Sequence, residues 1–302
     1  MTGGMQWWEA ILEVPPQEAD RVAAAILPLA YGGVAIEPAI ESEPGTETYY
    51  LTPGLPAQVK AYLAVDRTFP GRREALLQAA RDAAPGIAMR ETRLAAADWS
   101  RSWKAYFKPV RTGRQLLIRP PWSRAATGDR TVIELEPGMA FGTGDHPTTK
   151  ACLAAVERLL RPGDRLLDLG SGSGILAIAG AKLGASKVLA LDTDPLAVDA
   201  AKENCRRNGV ADIVRVVKGS IESRSAKRWH PHLLLTNLTS ALHAELAELI
   251  TRAIVPGGSL FGAGIGEAGL PGVLTAYGAA GVRGLKIGKR GAWRTVQWTK
   301  PG

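Results

Sequence analysis

The sequence predicts an α/β chain: a doubly wound, mostly parallel sheet preceded by a small ferredoxin-like α+β domain. Three observations carry that expectation. From about residue 150 onward, short apolar runs alternate with segments of helical period, the pattern of a parallel sheet covered on both faces. Before residue 96 the order is strand-helix-strand-strand-helix-strand, which matches the split ferredoxin-like arrangement. The length of 302 residues favours two ordinary domains over one. The expected organisation is an N-terminal domain over residues 1–96, a connector over 97–124 and a second domain over 125–302.

In the first domain, WWEAILEV (7–14) reads as a strand. PPQEADRVAAAILPLA (15–30) opens with prolines, which a helix start tolerates, and then places apolar residues at helical spacing. GGVAIEP (32–38) is a second strand after a glycine break, and a loop rich in Glu, Pro and Gly follows to about residue 57. VKAYLAVD (59–66), GRREALLQAARDAAP (71–85) and IAMRETRL (87–94) complete the unit as strand, helix and strand.

Residues 98–124 differ in kind. Trp99, Trp103, Tyr106, Phe107 and Trp122 are interleaved with arginines and lysines. Such a segment suits a nucleic-acid surface, or a connector whose aromatic rings pack while its cations stay in water. The connector is preferred.

The second domain then alternates. KACLAAVERLL is helical, DRLLDLG (164–170) a buried strand, and GILAIAGAKLG (174–184) a helix ended by Gly184. KVLALD (187–192) is a strand. PLAVDAAKENCRRNG (195–209) is a helix with Pro195 in its first turn and Gly209 past its end. IVRVVKG (213–219) and HLLLTNL (232–238) are strands, HAELAELITRAIV is a helix, and the chain closes through GSLFGAG, LTAYGAAG and WRTVQWTK.

Composition narrows the function classes. The chain is 46% hydrophobic and 22% charged, so it buries a core and is not disordered. The net charge of +8 fits either simple solubility or a nucleic-acid or ribosomal neighbourhood. Cys152 and Cys205 both fall in helical patterns without ligand spacing, so no metal site is expected, and free thiols fit a reducing cytoplasm. The N-terminus lacks the marks of a signal peptide, and no apolar run is long enough to span a bilayer.

The chemistry centres on LLDLGSGSGILAIAG (166–180). A hydrophobic strand runs into Gly170, Gly172 and Gly174, and a helix follows at once. In an open parallel sheet this turn is where a nucleotide-like ligand lies, with glycine permitting close approach and the helix start offering free N–H groups. The spacing is GxGxG, tighter than the GxGxxG of dinucleotide binders, and suits S-adenosylmethionine. Asp192 ends the next strand and is placed to accept from both ribose hydroxyls. Asp194 competes for that role but precedes Pro195, as a helix N-cap would. Gly219-Ser220 is a weak candidate for the adenine side. Asn237, at the tip of the fourth strand, either accepts from a substrate amine or closes an Asx-turn. Thr148 and Thr149 open a helix, where a hydroxyl caps the helix or bonds a ligand carboxylate. Ahead of them Phe141, Gly142 and Thr143 form a glycine-hinged stretch able to wall a bound cofactor, and His146 is either a base or structural.

Taken together, FGTGDHPTT, the glycine-loop segment continuing through ALDTDPLAVDAAKENCRRNG, and Asn237 resemble the bacterial ribosomal protein L11 methyltransferase family (PrmA). DWSRSWKAYFKPV and the N-terminal domain are similar to it as well. The resemblance implies a class I methyltransferase (Rossmann-like) that uses S-adenosylmethionine to methylate the N-terminal α-amine and lysine amines of ribosomal protein L11. It implies cofactor contacts at Thr149, Gly170, Asp192 and Asn237, an N-terminal substrate-recognition domain, and a cytoplasmic monomer. Departures from the family pattern are Asp145, Ser171, Leu238-Thr239 and GAGIGEAG.

Three alternatives stand beside it: a lysine methyltransferase acting on another protein, an RNA methyltransferase, and a non-catalytic ribosome-binding protein. The tip Asn237-Leu238-Thr239-Ser240 lacks the proline and aromatic platform of base-amine enzymes, so no direct nucleic-acid substrate is expected.

Overall fold

The computed structural model describes residues 6–31, 34–37, 40–42, 49–51, 55–94, 108–135, 144 and 146–302. The chain divides into two compact units, Met1–Phe107 and Lys108–Gly302.

The first unit contains β1 (Trp7–Val14), α1 (Ala19–Ile26), β2 (Val34–Glu37), β3 (Ile40–Ser42), β4 (Tyr49–Leu51), β5 (Ala57–Ala64), α2 (Phe69–Ala83) and β6 (Ala88–Leu94). Its four-stranded sheet has the order β2-β5-β1-β6, antiparallel throughout. That is the predicted ferredoxin-like order. Alternation along β1 sends Trp8, Ala10, Leu12 and Val14 to one face. There they meet Val59, Ala61 and Leu63 of β5, and Val22, Ile26, Leu76, Leu77 and Ala80 of the two helices. Each fully buried valine, leucine or isoleucine among them contributes about 1.5–3 kcal/mol over leaving it exposed. The loop read before residue 57 holds a short antiparallel pair, β3 with β4.

The second unit opens with β7 (Val110–Thr112), β8 (Leu116–Arg119) and β9 (Thr131–Glu134). These form a three-stranded sheet in which β7 and β8 are antiparallel and β8 and β9 parallel. Residues 108–124 of the expected connector therefore lie in this unit and carry two of its strands. Residues 97–107, with Trp99, Trp103, Tyr106 and Phe107, lie outside the described residues. The small sheet is tied down by side chains. The Glu157 carboxylate accepts from Arg114 N (2.8 Å) and Gln115 N (2.9 Å), and Asn208 bonds both N and O of Glu134.

There follow α3 (Pro147–Leu159), β10 (Arg165–Leu169), α4 (Ile175–Lys182), β11 (Lys187–Asp192), α5 (Pro195–Arg207), β12 (Val214–Lys218), α6 (Arg224–Lys227), β13 (Leu233–Asn237), α7 (Ser240–Ala253), β14 (Ser259–Gly266), α8 (Leu270–Ala279), β15 (Lys286–Arg290) and β16 (Trp293–Thr299). The sheet order is β12-β11-β10-β13-β14-β16-β15. The first five are parallel, and β16 runs antiparallel to both β14 and β15. This is the predicted doubly wound sheet. The order reverses between β10 and β13, which makes the carboxyl ends of those strands the expected ligand crevice.

Both faces are covered. Leu153, Val156, Ile178 and Cys205 pack with Leu166 on one side. Leu246, Ile250, Val273 and Tyr277 pack with Leu167 and Leu169 on the other. Strands buried on both faces read as continuous apolar runs, as Leu233, Leu234 and Leu235 do.

Candidate active site

Three strand tips and one helix start are linked, contact by contact, at the crevice. Gly170, Gly172 and Gly174 have φ of +77°, +51° and +80°, values that L side chains resist. A Cβ on Gly170 would stand 2.5 Å from Leu238 Cδ2, so the glycine loop lies directly against the tip of β13. The loop is closed by Gly174 N donating to Ser171 O (2.8 Å) and held from α5 by Asn204 Nδ2 donating to Ser173 O (2.9 Å).

Asp192 sits where the sequence placed it, at the end of β11. Its Oδ2 accepts from Gly172 N (2.8 Å) and its Oδ1 from Asp194 N (3.0 Å). Two backbone amides thus fix the carboxylate, and each oxygen keeps a further lone pair. Asp194 is the N-cap of α5, with Oδ1 accepting from Leu196 N (2.9 Å), so the two aspartates have separate jobs. Gly219 N donates to Asp192 O (2.8 Å), which sets the turn after β12 beside the same tip.

Across the crevice, Asn237 Nδ2 lies 3.5 Å from Thr149 Oγ1, a long contact. Thr148 and Thr149 are both buried. The cap of α3 is His146, whose Nδ1 meets Thr148 Oγ1 (2.7 Å) and accepts from Thr148 N (3.4 Å). The structural role of this histidine is therefore present. Its ring also meets Trp293 edge-on, centroids 5.2 Å apart. Phe141, Gly142, Thr143 and Asp145 lie outside the described residues.

Two features escaped the sequence reading. Asp168 is wholly buried between Leu167 and Leu169. Its Oδ2 accepts from Ala177 N (3.1 Å), while its Oδ1 has no partner. Burial pushes this carboxyl up to about 7. The Ala177 N–H pulls it down and the Asp192 charge pushes it further up. The available signal was a carboxylate inside an otherwise apolar strand. Trp293 is the second. Nothing local to residue 293 marks it; only the antiparallel return of β16 brings it to the start of α3.

Ser171 Oγ is likewise buried without a partner. Cys152 and Cys205 are buried free thiols. Burial pushes Cys205 up to about 12 and raises Cys152 as well, which removes both as nucleophiles at neutral pH. Among the described residues, no helix is long and apolar enough to cross a membrane.

A family model described as ribosomal protein L11 methyltransferase (PrmA) matches residues 6–301. The chain belongs to this family. A ribosomal protein L11 methyltransferase of Pelotomaculum thermopropionicum is 39% identical over 96% of this chain and 97% of its own length. One from Chloroflexus aurantiacus is 35% identical over 98% of each. A solved structure, a ribosomal protein L11 methylase from Lactobacillus delbrueckii subsp. bulgaricus, superposes with a TM-score of 0.59 at 29% identity, covering 65% of this chain and all of that one. The PrmA relationship agrees with the sheet order and makes the chain a methyltransferase of class I fold.

Proposed function

We propose that the chain transfers methyl groups from S-adenosylmethionine to lysine and N-terminal amines of ribosomal protein L11, with Asn237 orienting the attacking amine. The observation that carries this is the run of contacts from Asp192 through the glycine loop to Leu238, Asn237 and Thr149. A carboxylate at one end of the crevice and an amide at the other support that reading. The residues present fit the cofactor. The unpartnered Asp168 Oδ1 and Ser171 Oγ are buried polar atoms beside the loop, and such atoms call for a polar ligand.

Asp192 would hold the ribose hydroxyls. Gly170, Gly172 and Gly174 would allow close backbone approach, and Thr149 with the start of α3 would hold the cofactor carboxylate. When bound, the sulfonium supplies an already activated methyl, so the chain needs no nucleophile of its own. What the protein contributes is alignment. The amine must be neutral, and a free lysine has a pKa of about 10.4. A desolvating crevice lowers that value, and the Asn237 carbonyl would accept one amine N–H and so orient the amine. The first unit selects the protein substrate, and the enzyme acts as a cytoplasmic monomer on protein rather than on RNA.

The test is transfer of labelled methyl from S-adenosylmethionine to free ribosomal protein L11 and, in parallel, to protein-free ribosomal RNA. Label in the protein, abolished by Asp192→Ala and reduced about 100-fold by Asn237→Ala, is the expected result. Label in the RNA alone overturns the substrate class. Full turnover by Asn237→Ala removes the role given to that side chain.

A further inference from the structure

His243 lies in α7, fully buried, and no step above uses it. Its ring has three polar neighbours. Nε2 is 2.9 Å from Ala263 O and 3.1 Å from Thr236 Oγ1, and Nδ1 is 3.3 Å from Tyr277 OH. A carbonyl can only accept, so Nε2 carries the proton and Nδ1 takes the hydrogen of the tyrosine. Burial lowers the ring to about 4, against the pull of the Ala263 carbonyl, and keeps it neutral.

These partners bracket Asn237. Thr236 is its neighbour on β13, and Ala263 is its Cα partner on β14. The Ala263 carbonyl also accepts from Leu238 N (3.1 Å), so one oxygen holds both the ring and the residue after Asn237. Two glycines make the room. A Cβ on Gly262 would stand 2.6 Å from His243 Cε1. One on Gly264, at φ +84°, would stand 2.4 Å from Leu238 O and 3.1 Å from Asn237 Oδ1. Both belong to the stretch where the pairing of β14 with β16 shifts register, a bulge of the kind that re-aims a side chain.

We propose that His243 is the positioning residue for Asn237: its Nε2–H holds the Ala263 carbonyl and the Thr236 hydroxyl, and so sets the angle at which the β13 tip presents the amide to the amine. The inference rests on the reading of Asn237 as the amine-orienting group.

The test is a double-mutant cycle on the full-length chain with free ribosomal protein L11, reading kcat, KM and S-adenosylmethionine Kd. His243→Leu keeps bulk and removes the donor, and is expected to lower kcat about 10- to 100-fold with cofactor Kd within about two-fold. His243→Gln restores a side-chain N–H and is expected to recover most of the loss. In an Asn237→Ala background His243→Leu should cost little more, because the group it positions is gone. Equal fold-losses in both backgrounds, or an unchanged kcat in His243→Leu, overturn the inference while leaving the role of Asn237 intact. Full turnover by Asn237→Ala sinks both together. If His243→Leu does not fold, Thr236→Val carries the same cycle with the same opposed outcomes.

Discussion

The two flanks of the crevice are built by different means. On the Asp192 flank, a carboxylate is fixed by the backbone N–H of Gly172 and of Asp194, and the loop turns on three glycines within five residues. On the Asn237 flank, the strand tip is held from behind by a buried ring whose partners lie on β13, β14 and α8. The first flank is preorganised by short-range backbone geometry. The second depends on core packing across four elements. On the roles proposed for Asp192 and Asn237, cofactor binding and aim should be separable, and substitutions should pull them apart.

The largest effect should come from Gly264→Val. A branched side chain at φ +84° would meet backbone at 2.4 Å. We expect a loss above about 3 kcal/mol, seen as a fall of more than about 6 °C in thermal midpoint. Gly170→Ala also enforces a left-handed residue, but its Cβ meets only the movable end of Leu238. It should cost about 1–2 kcal/mol. Equal losses would mean that the Asn237 flank is no more dependent on packing than the other.

Next in size, Asp192→Ala should weaken S-adenosylmethionine about 100-fold in calorimetry, the scale of losing charged hydrogen bonds. Asn237→Ala should bind it within about three-fold of the parent while transferring methyl far more slowly. If both variants lose binding alike, the division of labour is wrong.

A smaller effect separates the flanks by pH. Asp168, raised to about 7, keeps its proton in the folded chain where an unfolded aspartate, with a pKa of about 3.9, has lost it. It therefore subtracts stability as pH rises from about 4 to 7. His243, lowered to about 4, stays neutral in the folded chain where an unfolded ring of pKa about 6.5 is charged. Its contribution is lost as pH falls from about 6.5 to 4. The two slopes oppose each other in one window. Between those pH values the stability of Asp168→Asn should climb more steeply with pH than that of the parent, and His243→Gln should climb less or fall. Three parallel unfolding profiles would show that neither group titrates there. Ser171→Ala should be smallest, within about 0.5 kcal/mol in the free protein, because its hydroxyl has no protein partner.

The same contrast explains what could be read from the sequence. The glycine loop and Asp192 were legible because a strand, a glycine turn and an acidic strand end lie within 30 consecutive residues, and each has a local physical signature. Thr149 and Asn237 were legible as a helix start and a strand tip, and the fold brings them together. The His243 cluster was not, because Thr236, Ala263 and Tyr277 reach it from three other elements and none has a local signal. Strand β9 was hidden by its brevity, and β7 and β8 by brevity and setting together. Three or four residues show too little alternation to count against a basic-aromatic background, so residues 108–124 were read as connector. Strand β15, KIGKR, has a single apolar side chain, Ile287, and so shows no alternation.

The space occupied by His243 Cε1 is the space a side chain at 262 would need, and Val296 Cγ2 stands 2.9 Å from the same point. Positions 243, 262 and 296 therefore share one volume. A side chain gained at 262 needs both the ring and the valine methyl to give way, so randomised libraries of the three codons should return survivors in linked sets rather than in free combination.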